Sequence, residues 1–249
     1  MAVKSADRVL DIFEHLSQFP EGLTAKEISD DLGWAGSSTI GLLKTLSERE
    51  YLSVDKKKRY SLGPKLISLG MMAVSMLDIC KIAEPILQDT MKTVEETVFL
   101  AILSGSELIY IAKVNSKRTI STNVNVGMRK PLYCTGLGKA LLAFMDKDKS
   151  DKIMDKIEFE TFTKNTVANK EELKQQLDEF RKQGYAVDNG EIEEELWCVA
   201  VPIFNAKGEV IAAMSSAGPK SRMIAKHDLV VNTLKAASSQ ISRKFGYIQ

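Results

Sequence analysis

The sequence predicts an α+β protein with a small helical N-terminal part and a larger C-terminal part built on an antiparallel sheet. Two observations lead to this prediction. Residues 1–63 contain three short helical patterns followed by a hairpin, which is the order of a winged helix-turn-helix. Beyond residue 85, strand-like runs occur as hairpin pairs and not as regular βαβ units, which indicates an antiparallel sheet with helices packed on its faces.

The composition is that of a soluble globular protein. The chain has 249 residues, of which 44% are hydrophobic and 27% are charged, enough for one large or two ordinary domains. It has no apolar run of the roughly 18 residues that cross a membrane, and its N-terminus lacks a signal-peptide core, so we expect a cytoplasmic protein. Three cysteines and two histidines are few and widely spaced, so we expect no disulfide framework, no metal site and no cofactor.

The N-terminal helices have clear start and stop signals. The first helix covers residues 5–17, where apolar side chains recur at spacings of three and four. The second starts at Thr24, because Glu27 completes a capping box. Gly33 suits its end, since a left-handed residue often closes a helix. The third covers residues 37–46, with leucines turned toward the core.

A hairpin over residues 51–62 follows, and its tip carries Lys56, Lys57, Lys58 and Arg59. Net charge is only +1, so any surface that binds nucleic acid must be a local patch. A run of four cations on its own is typical of a solvated turn. Its position directly after a helix-turn-helix favours contacts with DNA phosphates.

A connecting helix with an apolar seam is predicted over residues 64–84. Its seam consists of Leu66, Leu69, Ala73, Met76 or Leu77, and Cys80. Such a seam packs either on its own domain or on the same helix of a second subunit. Pro85 opens a new segment, so the predicted domains are residues 1–63, the linker 64–84 and residues 85–249.

The C-terminal elements alternate between hairpins and helices. They are a helix around 86–94, hairpin strands at 98–103 and 107–114, a strand over 119–126, a helix over 135–145, a charged helix over 170–182, a short strand at 185–187, hairpin strands at 197–204 and 209–216, and a last helix over about 225–245.

The chain resembles the IclR family of bacterial transcription regulators over about residues 4–245. The resemblance rests on residues 33–46, 51–52 and 59–66, and on the C-terminal motifs at 131–143, 184–188, 198–204 and 218–219, in the family's order. It implies a winged-helix DNA-binding domain, a linker helix and a GAF-like effector domain. It also implies binding to operator DNA as a dimer or a dimer of dimers, with small metabolites, often acids, as effectors. Family members include repressors and activators.

The chain departs from the family at a few positions. Gly41 stands where the family commonly carries Arg in its recognition helix, and Ile40 where it has His or Tyr. Glu50 and Glu195 stand where Gly is frequent. Neither Gly41 nor Ile40 offers a long polar side chain, so we expect specificity to depend more on DNA shape and on dimer spacing.

The candidate DNA-binding residues lie on the third helix and the hairpin. Hydroxyls can bind bases or phosphates, and Ile40 can touch a thymine methyl. The candidates are Arg8, Ser37, Ser38, Ile40, Lys44, Lys57, Lys58 and Arg59. An alternative role for Ser37 and Ser38 is to cap the helix.

The candidate effector-binding residues are expected around one helix N-terminus. The amides of Gly136 and Leu137 open a helix, where an anion is favoured. Positions that match pocket residues of the family are Asp188, Leu196, Cys198, Ser215 and Ala217, with Thr119 and Thr122 placed more loosely. Alternatively, Cys198 is a small buried hydrophobe and Asp188 a turn residue.

Three functions fit these observations. The first is a DNA-binding regulator that responds to a small organic or sugar acid. The second is an enzyme with Cys134 or Cys198 as nucleophile, which needs a nearby base. Since His15 and His227 both lie far from these cysteines in the sequence, the first function is preferred. The third is a DNA-binding module without a ligand, which a filled C-terminal domain would favour.

Overall fold

The computed structural model describes residues 3–75, 78–120 and 122–247. These residues group into an N-terminal unit, Met1–Leu77, and a C-terminal unit, Asp78–Gln249. One of the two tryptophans, Trp34, belongs to the first unit, and the other, Trp197, belongs to the second.

The N-terminal unit is a winged helix-turn-helix. Its elements are α1 (Lys4–Ser17), β1 (Leu23–Thr24), α2 (Ala25–Asp31), α3 (Gly36–Glu48), β2 (Leu52–Val54), β3 (Arg59–Leu62) and α4 (Pro64–Ser75). The strands form an antiparallel sheet in the order β1-β3-β2. The apolar faces of α1, α2 and α3 meet around Ile12, Ile28 and Leu43, each fully buried. The winged-helix order predicted from the sequence is confirmed.

The residues that begin and end α2 are those predicted from the sequence, whereas the start of α3 is different. The Thr24 hydroxyl accepts the N–H of Glu27 at 3.3 Å, and the Glu27 carboxylate accepts the N–H of Thr24 at 2.7 Å, so the capping box is confirmed. Gly33 adopts a φ of 66° after α2. Helix α3, however, begins at Gly36 with Ala35 as its N-cap residue. Ser37 and Ser38 therefore lie inside the first turn and do not cap it.

The region predicted as a connecting helix contains parts of two helices. Its described residues lie in α4 (Pro64–Ser75) and in α5 (Asp78–Val94), and α5 belongs to the C-terminal unit. Met76 and Leu77, which the sequence places on the apolar seam, lie outside the described residues. Pro85 does not open a new segment, because it lies within α5. We place the change from one unit to the next before α5.

The C-terminal unit is built on one antiparallel sheet in the order β6-β5-β4-β9-β8-β7. Its strands are β4 (Thr97–Ser104), β5 (Glu107–Val114), β6 (Arg129–Pro131), β7 (Ala186–Asn189), β8 (Leu196–Phe204) and β9 (Val210–Pro219). Its further helices are α6 (Gly136–Phe144), α7 (Lys147–Met154), α8 (Lys170–Gln183), α9 (Lys220–Ala225) and α10 (His227–Lys244). Both predicted hairpins are confirmed.

Helices cover both faces of this sheet, which explains why β8 is apolar almost throughout. Alternate residues of the strands pack on α6 and α8 on one face and on α5 and α10 on the other. Cys198 and Ala200 belong to the first face, and Val199 and Val201 to the second.

One predicted element of the C-terminal unit is wrong. Residues 119–126 do not form a strand in their described part. The carbonyl of Ile120 accepts from Arg222 at 3.2 Å, and that of Thr122 accepts from Lys113 at 3.4 Å. The last helix, predicted over about 225–245, is confirmed as α10, and the short helix α9 directly before it was not predicted.

Candidate functional site

Strand register brings the predicted effector residues onto one face of the sheet. Asp188 pairs with Cys198, and Cys198 pairs with Ala217, so these three side chains form one row across β7, β8 and β9. Ser215 and Phe99 are paired in the adjacent row of the same face. Because successive side chains on a strand alternate, all five point toward α6.

A cavity of about 640 Å³ opens between this face and the start of α6. That volume suits a small-molecule ligand. The sequence-predicted residues that line it are Thr122, Gly136, Leu137, Asp188, Leu196, Cys198, Ser215 and Ala217. Thr119 is not among the residues that the cavity touches. The cavity wall also contains Phe99, Tyr110, Val124 and Lys130, which the sequence reasoning missed. The alternation of β4 and β5 identifies Phe99 and Tyr110 once the inward face is known.

The floor of the cavity is the N-terminus of α6. Thr135 caps this helix by accepting the N–H of Gly138 at 3.1 Å. The amides of Gly136 and Leu137 have no acceptor within a helix that starts there. A Cβ on Gly136 would lie 2.9 Å from the sulfur of Cys198, and one on Gly138 would lie 2.3 Å from the carbonyl of Leu132. Both glycines therefore permit close approach of α6 to its neighbours.

Two buried hydroxyls at the cavity lack a conventional partner. The Ser215 and Thr122 side-chain oxygens form no hydrogen bond to nitrogen or oxygen among the described residues. Ser215 has only the Cys198 thiol beside it, and sulfur is a weak partner. An unsatisfied buried hydroxyl costs about 1–3 kcal/mol. A ligand with hydrogen-bonding groups would remove this cost.

Asp188 is the charged member of the cavity floor. It is 3% exposed, and its Oδ1 accepts the backbone N–H of Glu191 at 2.9 Å. Burial raises the pKa of this carboxyl to about 6, and the attraction of Lys139 opposes that rise. The Asp188 side chain thus belongs to both the turn after β7 and the cavity.

The cysteines lack the features of a nucleophile. Burial raises the pKa of the Cys134 thiol and of the Cys198 thiol to about 12 each. His227 lies against Tyr185 and Trp197 at α10, on the opposite face of the sheet, and His15 belongs to the N-terminal unit. A thiol of this kind carries little thiolate at neutral pH.

Helix α3 presents the predicted DNA-reading residues on its exposed side. Ile40 is 54% exposed, and Lys44 lies 3.9 Å from Glu48 on the same face. The Ser38 hydroxyl donates to the Ala35 carbonyl at 2.9 Å and accepts from Arg8 at 3.3 Å. The Arg8 guanidinium lies 4.9 Å from the Trp34 ring centre. Arg8 is thereby held at the start of α3, beside Ser38.

The hairpin tip separates its cations into two groups. Asp55 organises the turn, because its Oδ1 accepts the N–H groups of Lys57 and Arg59 at 2.8 Å each. Lys57 and Lys58 point into solvent. Arg59 instead turns back and donates to the Gly22 carbonyl at 2.8 and 3.0 Å, which ties β3 to the start of β1. Arg59 was predicted to bind DNA phosphates with its neighbours in the wing, but these hydrogen bonds give it a structural role.

The described residues show no helix that could cross a membrane and no cluster of three or more potential metal-binding side chains. A helix-turn-helix with a basic wing, carried on the same chain as a sheet domain with a ligand-sized cavity, defines the class of transcription regulators that combine a DNA-binding and an effector domain.

Comparison with known proteins agrees with that class. The family model described as "Bacterial transcriptional regulator IclR C-terminal" matches residues 71–243, and the "IclR helix-turn-helix domain" matches residues 5–56. The chain therefore belongs to the IclR family of bacterial transcriptional regulators. It is 33% identical to the HTH-type transcriptional regulator KdgR of Escherichia coli over 249 residues, covering 99% of this chain and 94% of that protein. It is 32% identical to the regulator XynR of the same organism, covering 98% of both chains.

Solved structures share the whole architecture. The IclR structure of Thermotoga maritima has a TM-score of 0.78 at 33% identity and covers 98% of this chain and 99% of its own. A regulator from Alicyclobacillus acidocaldarius has a TM-score of 0.85 at 28% identity, with 98% and 99% covered.

Proposed function

We propose that this protein regulates transcription by binding operator DNA and that a small organic or sugar acid in the C-terminal cavity controls the binding. The observation that carries this proposal is the buried Ser215 hydroxyl, which has no nitrogen or oxygen partner among the described residues and faces a cavity closed on one side by the α6 N-terminus. Helix N-termini favour anions, and hydroxyls donate to carboxylates. Gly136 and Leu137 would bind the acid group, while Asp188 and Thr122 would bind its other polar groups.

On the DNA side, we propose that α3 enters the major groove and the wing tip contacts the backbone. Ser37, Ser38, Ile40 and Lys44 would face the groove, and Arg8, Lys57 and Lys58 would contact phosphates. In bacteria operator DNA lies in the cytoplasm, so we place this protein there. Its relatives are transcription regulators, and we infer no enzymatic role for it.

The functional divisions would be residues 1–63 for DNA binding, 64–84 as the linker and 85–249 for effector binding, with the last part of the linker, 78–84, already in α5 of the C-terminal unit. We propose a dimer, or a dimer of dimers, as the DNA-bound form, because two half-sites on DNA require two recognition helices. Ligand would favour one arrangement of the linker helices and so one spacing of the recognition helices.

A thermal-shift screen of small organic acids, sugar acids and neutral sugars tests the proposal. A ligand that binds only the folded protein raises its Tm. At a ligand concentration of a hundred times Kd, the free energy of unfolding increases by about 2.7 kcal/mol. The matched control is Ala217→Leu, which fills the cavity from the sheet side with an apolar group. Acids that stabilise the native protein should leave this variant unshifted.

The same acids should then change the affinity of the native protein for DNA upstream of the genes it regulates, measured by fluorescence anisotropy. If acids shift Ala217→Leu as much as the native protein, the cavity is not the effector site. If no compound of any class binds, the chain is a DNA-binding module without a ligand.

A further inference from the structure

A buried charge cluster lies directly behind the floor of the cavity. Lys139 on α6, Glu191 after β7 and Asp188 on β7 are 1%, 2% and 3% exposed. The Lys139 ammonium donates to the Glu191 carboxylate and to Gln176 Oε1, the latter at 3.0 Å. One cation and two carboxylates thus lie almost fully buried beside one another. Because Glu191 already pairs with Lys139, Asp188 has no cation of its own.

The groups that face Asp188 do not compensate for this charge. Lys139 attracts the Asp188 carboxylate, and Glu191 repels it. From β5, β8 and the turn before α6, it faces Tyr110, Cys198 and Cys134, whose pKa values are all raised by burial, so they are neutral at pH 7. The remaining ionisable groups at the cavity are Lys130, which is half-buried, and the exposed carboxylates Glu193 and Glu195.

An anionic ligand on the α6 amides would add a second negative charge beside Asp188. Gly136 lies against the Asp188 backbone, since a Cβ on Gly136 would be 3.5 Å from the Asp188 nitrogen. Ser215, which is 1% exposed and unpaired, faces the same cavity and gives a second, independent indication of a ligand there. Two carboxylates that share one buried site do not both stay ionised, because each raises the pKa of the other.

We propose that an acidic effector enters this cavity together with one proton, which Asp188 carries. This inference rests on the proposed function, and it adds that the response of the regulator depends on pH. In the bound state the protonated Asp188 oxygen donates a hydrogen bond to the ligand, and the ligand stays ionised on the α6 amides and Ser215. Without ligand at neutral pH, most molecules hold Asp188 as a carboxylate. Because the pKa of Asp188 is raised to about 6, only a small further rise on ligand binding protonates this carboxylate near neutral pH.

The affinity should then fall about tenfold for each pH unit above 6, because one proton is taken up per ligand. The probes are pyruvate, D-gluconate and benzoate, titrated into the full-length protein by calorimetry at pH 5.5, 7.0 and 8.0. Repeating the titration in buffers of different ionisation enthalpy gives the number of protons taken up. Asp188→Asn keeps a donor at this position without a charge, so its affinity should be independent of pH. Glu193→Gln, at the exposed mouth, is the matched control and should keep the native pH dependence.

A second measurement does not need an effector. The raised pKa of folded Asp188 means that the native protein loses stability as pH rises through about 6, and Asp188→Asn does not. The stability of Asp188→Asn relative to the native protein should therefore increase between pH 5.5 and 8.0 in urea unfolding. A difference that does not change with pH overturns the proposal.

The binding measurements distinguish a failure of the proposed proton uptake from a failure of the proposed effector function. Acids that bind the native protein with equal affinity at all three pH values overturn the proton uptake and leave the proposed function intact. If neutral sugars bind and no acid does at any pH, both the proposed effector class and the proton uptake are overturned.

Discussion

At the scale of single residues, Glu50 shows how a departure from the family pattern affects the backbone. It has a φ of 63°, in the left-handed region, between α3 and β2. The family often has Gly at this position, and only Gly adopts this conformation without strain. Its carbonyl accepts the N–H of Lys65, so the turn is fixed by hydrogen bonding and Glu50 tolerates the strain.

Glu50→Gly should therefore stabilise the N-terminal unit by about 1 kcal/mol, as measured by urea unfolding. The comparison variant is Gly33→Ala, where φ is 66° and added atoms meet open space, and it should destabilise by a similar amount. A destabilised Glu50→Gly protein would show that the Glu50 side chain contributes more than its backbone costs.

The two kinds of cation at the wing tip give a second prediction. Replacing Lys57 and Lys58 by Ala should weaken binding to a generic DNA duplex and reduce the slope of log affinity against log salt by about 2. Arg59→Ala should instead destabilise the N-terminal unit by about 2 kcal/mol, because its guanidinium bonds to backbone carbonyls are lost. Anisotropy titrations at several salt concentrations separate these effects. An unchanged slope in the double variant would exclude the wing tip from the DNA interface.

At the scale of elements, one buried carboxylate joins three segments of the C-terminal unit. Glu96 is 1% exposed and accepts from Arg222 at 2.7 and 2.8 Å and from Lys226 at 3.0 Å. Arg222 also holds the carbonyl of Ile120, at the cavity wall. Burial alone would raise the pKa of Glu96, but hydrogen bonds from Arg222 and Lys226 outweigh it, so the pKa is lowered.

Glu96→Gln should lower the free energy of unfolding by about 2 kcal/mol at pH 7, the scale of hydrogen bonds to a charged group. Because the folded pKa is lowered, the native advantage is present above the unfolded value of about 4.3 and disappears as pH falls through the folded value. Urea unfolding at pH 7 and near pH 3 measures this. The neighbouring Glu95, whose side chain is 64% exposed, is the control, and Glu95→Gln should change stability by less than about 0.5 kcal/mol. An equal effect of both variants would refute the role of burial.

The elements also show what the sequence could and could not predict. Helix caps and hairpins depend on neighbouring residues, and these predictions were largely correct, as at Thr24 and in β4–β5. Residues 119–126 alternate like a strand, but two of their carbonyls accept from the side chains of Arg222 and Lys113, and alternation does not reveal such partners. The same limitation applies to the cavity. The family motifs correctly predicted several residues of the cavity wall, whereas Tyr110 and Lys130 could be assigned to the wall only once the sheet register was known. Arg59 likewise appeared to belong to a cationic run until its carbonyl acceptors were known.

At the scale of the whole molecule, the exposed apolar side chains of α4 are the surface through which we propose that the protein self-associates. Its apolar residues Ile67 and Leu69 are 65% and 45% exposed within the chain. Ile67→Glu should weaken self-association of the full-length protein at least tenfold, about 1.4 kcal/mol, in sedimentation measurements. Ser68→Glu, on a neighbouring exposed position of the same helix, should leave it unchanged. Equal association of Ile67→Glu and the native protein would exclude this surface of α4 from the proposed self-association interface.

The location of one tryptophan in each unit also allows each unit to be followed separately by its own fluorescence. In Trp34→Phe the remaining indole, Trp197, lies 5.4 Å from the His227 ring on the sheet, next in sequence to Cys198 of the cavity. Its emission reports the C-terminal unit alone. In Trp197→Phe the remaining indole lies under the Arg8 guanidinium at the start of α3. A phosphate that draws Arg8 away would change the environment of this indole, so the protein would carry an internal optical signal for the proposed DNA contact, while Trp197, on the sheet face opposite the cavity, would follow the folding of the C-terminal unit.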